Sequence, residues 1–166
     1  ALGDCCHALS VIQILQRQFP ESSLSWVINK NEYQLFRDIP NVDFIIVDKE
    51  NLVKSFSQIF FDKKKKIFDV LINLHASASA NFISLAIRAE RKIGYDKARA
   101  RDKQNWFCNE YIEAVSNQHV ADAMVGFLTH LDINEDKPSW KPLHLQPEEE
   151  LVKEYHALLE VNDNYS

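Results

Sequence analysis

Glycine is scarce: Gly3, Gly94 and Gly126 are the only three in 166 residues. Glycines so far apart cannot build a G-x-G-x-x-G turn or a P-loop, whose closely spaced glycines let backbone amides approach phosphates. A nucleotide site of either kind is therefore unsupported within these residues. Cysteine is also sparse. Cys5, Cys6 and Cys108 make an odd count with no C-x-x-C pair, so they read as reduced thiols and not as a disulfide framework. Neither they nor the six histidines show the spacing of a zinc site. Positive charge is in deficit, with 19 Lys and Arg against 24 Asp and Glu and a net charge of -5. That balance argues against a general nucleic-acid binder, which needs a basic face. No apolar run is long enough to cross a bilayer, and no signal-peptide pattern is present.

What is present is an alternation of two periodicities. Apolar or small residues at Ala8, Leu9, Ile12, Leu15 and Phe19 have helical spacing, ended by Pro20. "LSWVIN" reads as a strand, "KNEYQLFRDI" as a short helix, and "VDFIIVD" as a second strand whose apolar run predicts burial on both faces. "NLVKSFSQIFF" follows as a helix with Leu52, Phe56, Ile59 and Phe60 on its apolar side, then the run Lys63 to Lys66. "IFDVLINL" is a third strand, "ASANFISLAIRA" a helix, and "RKIGY" a short strand closing at Gly94. After the basic loop "DKARARDKQ", "HVADAMVGFLTHL" forms a helix with Val120, Met124, Phe127, Leu128 and Leu131 on one side. A Pro-marked loop precedes a last helix, "PEEELVKEYHALLEV", and "NDNYS" reads as a linker or a cut. Strands alternating with helices give an α/β class with a mainly parallel, Rossmann-like sheet in one domain-sized unit.

In such sheets ligands bind at the carboxyl ends of strands. Gly3 and Asp4 fit that place if a strand precedes them, and only Ala1 and Leu2 do so. The expectation is a chain lacking its first strand. Asp4 then has two readings. Asp is a preferred N-cap, whose carboxylate accepts from the first backbone amides of the helix. Taken alone the residue reads as that cap; a carboxylate held at a strand end could instead serve as a general base.

"ALGDCCHALSVIQILQRQFPESSLSWVINKNEYQLFRDIPNVDFIIVDK", with "FDVLINLH", "RKIGYDKARARDKQNWF" and "QHVADAMVGF", resembles the lipopolysaccharide heptosyltransferases of glycosyltransferase family 9, most closely the heptosyltransferase I type. The resemblance covers most of the chain, and its L-G-D-x-x-H-A-L signature is fairly specific. It implies the N-terminal, acceptor-side half of a two-domain GT-B enzyme, with residues 1–166 forming that half and the donor half missing. It implies an inverting transfer of heptose from ADP-heptose to the Kdo of a lipid A precursor, with no cofactor and no essential metal. The absence of a D-x-D motif agrees with that. It places the enzyme in the cytoplasm, peripheral to the inner face of the inner membrane, and makes this half inactive alone.

By the same resemblance Asp4 matches the family's catalytic base. Gly3 would leave room for the acceptor, and otherwise permits an unusual backbone angle. His7 would flank the acceptor pocket, and otherwise is a satisfied structural histidine. Lys97, Arg99 and Arg101 would grip the carboxylate of Kdo or the phosphates of lipid A, as arginine forks do. Without the resemblance they read as a solvated loop. His119 matches a histidine at the start of the next helix. Cys5 and Cys6 read as packing residues. One stretch departs from the family: relatives carry an arginine in a segment like "QTALRAS", where this chain has "HASASAN", so that Ser79 replaces the arginine and His75 a glutamine. The alternative from another class is a non-catalytic or degenerate α/β module that keeps only anion or sugar binding. A flavodoxin-like regulator is a third reading, but its acidic cluster at the strand ends is not evident.

Overall fold

The computed structural model describes residues 2–62, 66–114 and 120–133. Lys63 to Lys65, His119 and the last predicted helix lie outside them. The first helix, α1 (Leu2–Gln18), is followed by β1 (Leu24–Asn29), α2 (Lys30–Phe36) and β2 (Val42–Val47). Then come α3 (Leu52–Phe60), β3 (Phe68–Ile72), α4 (Ala78–Ala86), β4 (Ala89–Gly94), the two-residue strand β5 (Glu110–Tyr111) and α5 (Val120–His130). The predicted alternation holds, and every strand pair is parallel. The strands form two sheets, β1-β2 and β3-β4-β5.

The helical periodicity of α1 is right, but its most buried residues are shifted by one position. Val11 and Ile14 pack against Leu128 and Ile133, while Ile12 and Leu15 are half-buried and Phe19 is 44 % exposed. Leu9 turns to a second cluster with Ile28, Phe36 and Ile39. A helix wedged between a sheet and another helix buries a face wider than one stripe. The third cluster joins Val47 to Ile83 and Ile87, with Leu52, Phe56 and Ile59 packed against it, as the pattern of α3 predicts. In the fourth, Phe127 of α5 is fully buried against Ile93, Tyr95 and Ile112.

Two expectations are corrected. β2 is not buried on both faces, because it lies at the edge of its pair: Asp43 and Ile46 face solvent. The helix predicted through Ala89 ends at Ala86. Ile87 takes an extended backbone (φ -92°, ψ 127°) so that Ala89 can pair with Phe68, and no Gly or Pro marks the change. In the basic loop Asp102 and Lys103 adopt left-handed backbone (φ 50° and 59°), leading into a turn of 3-10 helix at Gln104–Trp106. Two consecutive non-glycine residues in that region are strained, and the contacts described next hold them.

Candidate active site

Asp4 lies inside the first turn of α1, which begins at Leu2, so it is an acidic first-turn residue and not the N-cap. A carboxylate there meets the positive end of the helix dipole. Gly3 is in the same turn with no positive φ, and a Cβ on it would meet nothing within 4 Å. The unusual-angle reading of Gly3 therefore fails, and the position is open to solvent. His7 is half-buried one turn further, and its carbonyl accepts from Ser10 Oγ at 2.6 Å. Cys5 is half-buried against the cluster around Leu9, whereas Cys6 is exposed and packs nothing there. Burial, with Glu32 adding, pushes the Cys5 thiol up, which disfavours a thiolate nucleophile.

The carboxylate of Asp4 faces His75, just beyond the carboxyl end of β3, with Oδ2 3.5 Å from Nδ1. Burial pulls the His75 pKa below its ordinary value, and the charge of Asp4 opposes that pull. On the same side stands Tyr95, directly after β4. Burial raises its phenol pKa, Arg99 opposes the rise, and the charge of Asp4 adds to it. Tyr95 donates to the carbonyl of Leu74 at 3.2 Å, and the Arg99 guanidinium lies over its ring at 5.6 Å. Asp4, His75, Tyr95 and Arg99 thus gather where the strand-end rule places a ligand site.

The predicted cationic cluster separates into two kinds. Arg99 is half-buried and already engaged. Its guanidinium pairs with the Asp96 carboxylate and donates to the carbonyl of Glu113 at 2.7 Å. Burial opposes the charge on Asp96, but the Arg99 pairing and the amide of Ala98 outweigh it and hold the pKa low. Lys97 and Arg101 are exposed on the same loop. His119 is outside the described residues. Among the described residues no cluster of His, Cys, Asp and Glu could hold a metal ion.

A buried amide relay fixes this loop. The fully buried Gln104 accepts from the Tyr95 amide and donates to the Asn73 carbonyl, both at 3.0 Å. Asn73 Nδ2 donates to Asn81 Oδ1 at 3.1 Å, and Asn81 donates to the carbonyl of Asp102 at 3.0 Å. The Asp102 carboxylate accepts from the amide of Ala78 at the start of α4, at 2.9 Å. Ser79, in place of the expected arginine, is half-buried with its Oγ 3.3 Å from that of Ser77, the N-cap of α4. Sequence reading missed His75 as the neighbour of Asp4, and also Tyr95, Asp96 and Gln104. The strand-end rule applied to "GYD" after β4 could have found two of them.

Below the site lies a cavity of about 320 Å³, flanked by β1 and β3, with Cys5, Ala8, Ile12 and Leu15 of α1 on one side and Leu52, Ile83 and Ile87 on the other. Asp4, His75 and Ser79 stand among its lining residues too.

This geometry can be set beside known proteins. No family model matches the chain. A curated relative, the lipopolysaccharide core heptosyltransferase OpsX of Haemophilus influenzae, is 34% identical over 141 residues, covering 85% of this chain and 41% of its own. The crystal structure of a family 9 glycosyl transferase from Veillonella parvula superposes with a TM-score of 0.72 at 22% identity, over 98% of this chain and 47% of that one. The chain belongs to the heptosyltransferases of glycosyltransferase family 9. The chain spans less than half the length of these relatives. Escherichia coli heptosyltransferase WaaC with ADP-2-deoxy-2-fluoro heptose has the same fold, with a TM-score of 0.70 at 17% identity, over 84% of this chain and 48% of that one. The α/β class with parallel sheets is accordingly that of family 9 enzymes.

Proposed function

We propose that residues 1–166 form the acceptor-binding, N-terminal half of a GT-B heptosyltransferase that moves heptose from ADP-heptose to the Kdo of a lipid A precursor, with inversion. The observation that carries this reading is the Asp4 carboxylate at the carboxyl end of β3, 3.5 Å from His75, with the exposed Lys97 and Arg101 on the loop after β4. Asp4 takes the proton from an acceptor hydroxyl. The freed oxygen attacks the anomeric carbon of heptose, the bond to the diphosphate breaks, and ADP leaves. An acceptor hydroxyl within hydrogen-bond reach of the Asp4 carboxylate can pass its proton to it. Lys97 and Arg101 hold the acidic groups of the acceptor. Arg99 orders their loop through Asp96 and Tyr95. His7 and His119 flank the acceptor, and Gly3 leaves its approach open. The donor binds the other half; that it is an ADP-heptose is supported by the ADP-2-deoxy-2-fluoro heptose in the WaaC structure. The enzyme works in the cytoplasm, peripheral to the inner membrane, needs no cofactor or metal, and this half alone is inactive.

The test is a transfer assay on an enzyme containing both halves, with ADP-heptose and Kdo-lipid A. Asp4→Asn should fold normally and lose about a hundredfold or more of turnover. Asn in the first turn forfeits only the charge-dipole interaction, about 0.3–1 kcal/mol. Near-normal turnover in Asp4→Asn would remove Asp4 from the chemistry. The second reading, a binding module without turnover, is favoured by Ser79 in place of arginine and by the engagement of Arg99. It predicts acceptor binding by the wild type with no transfer.

A further inference from the structure

We propose that the loop of residues 97–106, after β4, is a lipid-contact surface: Trp106 seats in the headgroup region of an anionic bilayer, and Lys103, with Lys97 and Arg101 on the same loop, faces the lipid phosphates. The inference rests on the reading of this chain as an acceptor-binding half only in taking the acceptor to be lipid-anchored.

The first observation is an apolar ring held out in solvent by a fixed turn. Trp106 is 70% exposed, yet Gln104, two residues before it, is 0% exposed. Gln104 is tied to the Tyr95 amide and the Asn73 carbonyl. On the other flank Tyr111 Oη lies 2.7 Å from the carbonyls of both Asn105 and Cys108. The turn is clamped from both sides and the indole is left outside. An indole has a large apolar body and one N–H donor, which suits the membrane-water interface, where tryptophan is enriched.

The second observation is a cation fixed on that ring. Lys103 Nζ stands 4.5 Å from the Trp106 ring centroid. Lys103 follows Asp102 in left-handed backbone, and Asp102 is held at both ends: its carbonyl accepts from Asn81 at 3.0 Å and its carboxylate from the Ala78 amide at 2.9 Å. Ring and lysine stem together cover apolar surface while the ammonium stays at the polar boundary.

The third is charge. The chain carries a net charge of -5, but this loop does not share it. Its carboxylates are engaged, Asp96 by Arg99 and Asp102 by the Ala78 amide, and the neighbouring Glu110 is taken by Arg91 and His130. Lys97, Arg101 and Lys103 are exposed. Each such cation near an anionic leaflet strengthens binding about fivefold. One indole with three cations is too small for a stable protein interface, which buries about 800 Å² on each partner, whereas a bilayer surface needs only shallow seating of the ring.

The fourth is position. The loop leaves the carboxyl end of β4, and Gln104 reaches the residue that follows β3. That is the side of the sheet where Asp4 meets His75. A bilayer held there presents a lipid-anchored acceptor to the carboxylate at a high effective concentration.

The test uses an enzyme containing both halves and acceptor-free vesicles, either of phosphatidylcholine or of phosphatidylcholine with one third phosphatidylglycerol. In flotation the wild type should bind the anionic vesicles, leave the neutral ones, and be released by high salt, which screens the cations. Trp106→Ala and Lys103→Asn should each weaken binding about fivefold or more. Asn suits left-handed backbone and Trp106 is exposed, so Tm should barely move in either variant. Brominated lipids should quench an emission that Trp106→Phe removes. Transfer to a deacylated, soluble acceptor should stay within about twofold of wild type in both variants, because neither side chain contacts the reacting groups, while transfer to a vesicle-borne acceptor should fall with binding. A wild type that transfers to neither acceptor overturns the heptosyltransferase reading, and flotation then decides the lipid surface by itself. Four outcomes overturn the surface: no vesicle binding; equal binding to neutral and anionic vesicles; wild-type binding by both variants; or binding only when lipid A is present, which makes the acceptor and not the bilayer the partner.

Discussion

Replacing Gln104 with leucine should destabilise the fold far more than any other polar position on its loop. Gln104 is 0% exposed and bridges two segments through its amide, accepting from the Tyr95 N–H and donating to the Asn73 carbonyl, each at 3.0 Å. Leucine matches the bulk but offers neither group a partner, so one buried N–H and one buried C=O are orphaned. Each costs about 1–3 kcal/mol, and extra apolar burial returns about 1 kcal/mol, leaving a net loss of about 3 kcal/mol. For a domain of this size 1 kcal/mol moves Tm by about 2–4 °C, so Tm should fall by roughly 6–12 °C. Calorimetry measures it, with Asn105→Ala as the control, since that neighbour is exposed and should shift stability by about 0.5 kcal/mol or less. Because Tyr95 and Asn73 anchor the loop of Lys97 and Arg101, amide exchange across residues 96–103 should quicken in Gln104→Leu at temperatures where the core is intact. A Tm within about 2 °C of the wild type would refute the satisfied-amide reasoning, because it would mean that water or a rearranged backbone replaces both bonds at no cost.

Gly94→Ala places a Cβ 2.7 Å from Cys108 Sγ and 3.3 Å from Gln104 Cδ. It should cost about 1–3 kcal/mol in denaturant unfolding, partly recovered when Cys108→Ala removes the nearest atom. The bidentate Arg91 pairing, with His130 second, pulls the Glu110 carboxyl down to about 2. A depressed carboxylate stabilises the fold above its unfolded pKa, and that contribution fades as pH falls from about 4.5 towards 2. After discounting for its partial exposure it is about 1 kcal/mol, so Glu110→Gln should lower stability at pH 7 by that amount and flatten the acid limb. His75 is held below its ordinary pKa chiefly by burial; the unfolded chain then binds more protons, and stability should decline as pH drops below about 6.5. His75→Gln should weaken that decline in urea titrations at pH 7.5 and 5.5, and an unchanged slope would show that other groups cause it.

The sequence by itself determined the element order, the parallel α/β class and the turn that carries Asp4, because each depends on periodicities of two to four residues and on strand-helix alternation. It also carried the family, through "LGDCCHAL" and the strands around it. What it could not carry were relations between distant residues. That Val11 and Ile14, and not Ile12 and Leu15, are the most buried positions of α1 was decided by the approach of Leu128 and Ile133. The exposure of Ile46 was decided by the edge position of β2. Arg99 reads as a free cation in "DKARARDK", yet the fold sets it between Asp96, the Glu113 carbonyl and the Tyr95 ring. Asp4 meets His75, and Gln104 reaches Asn73 across 31 residues, only after parallel strands bring their carboxyl ends together. A local pattern fixes which face of an element is apolar; which side chains meet across the faces depends on chain segments far apart in sequence, and only tertiary packing sets that.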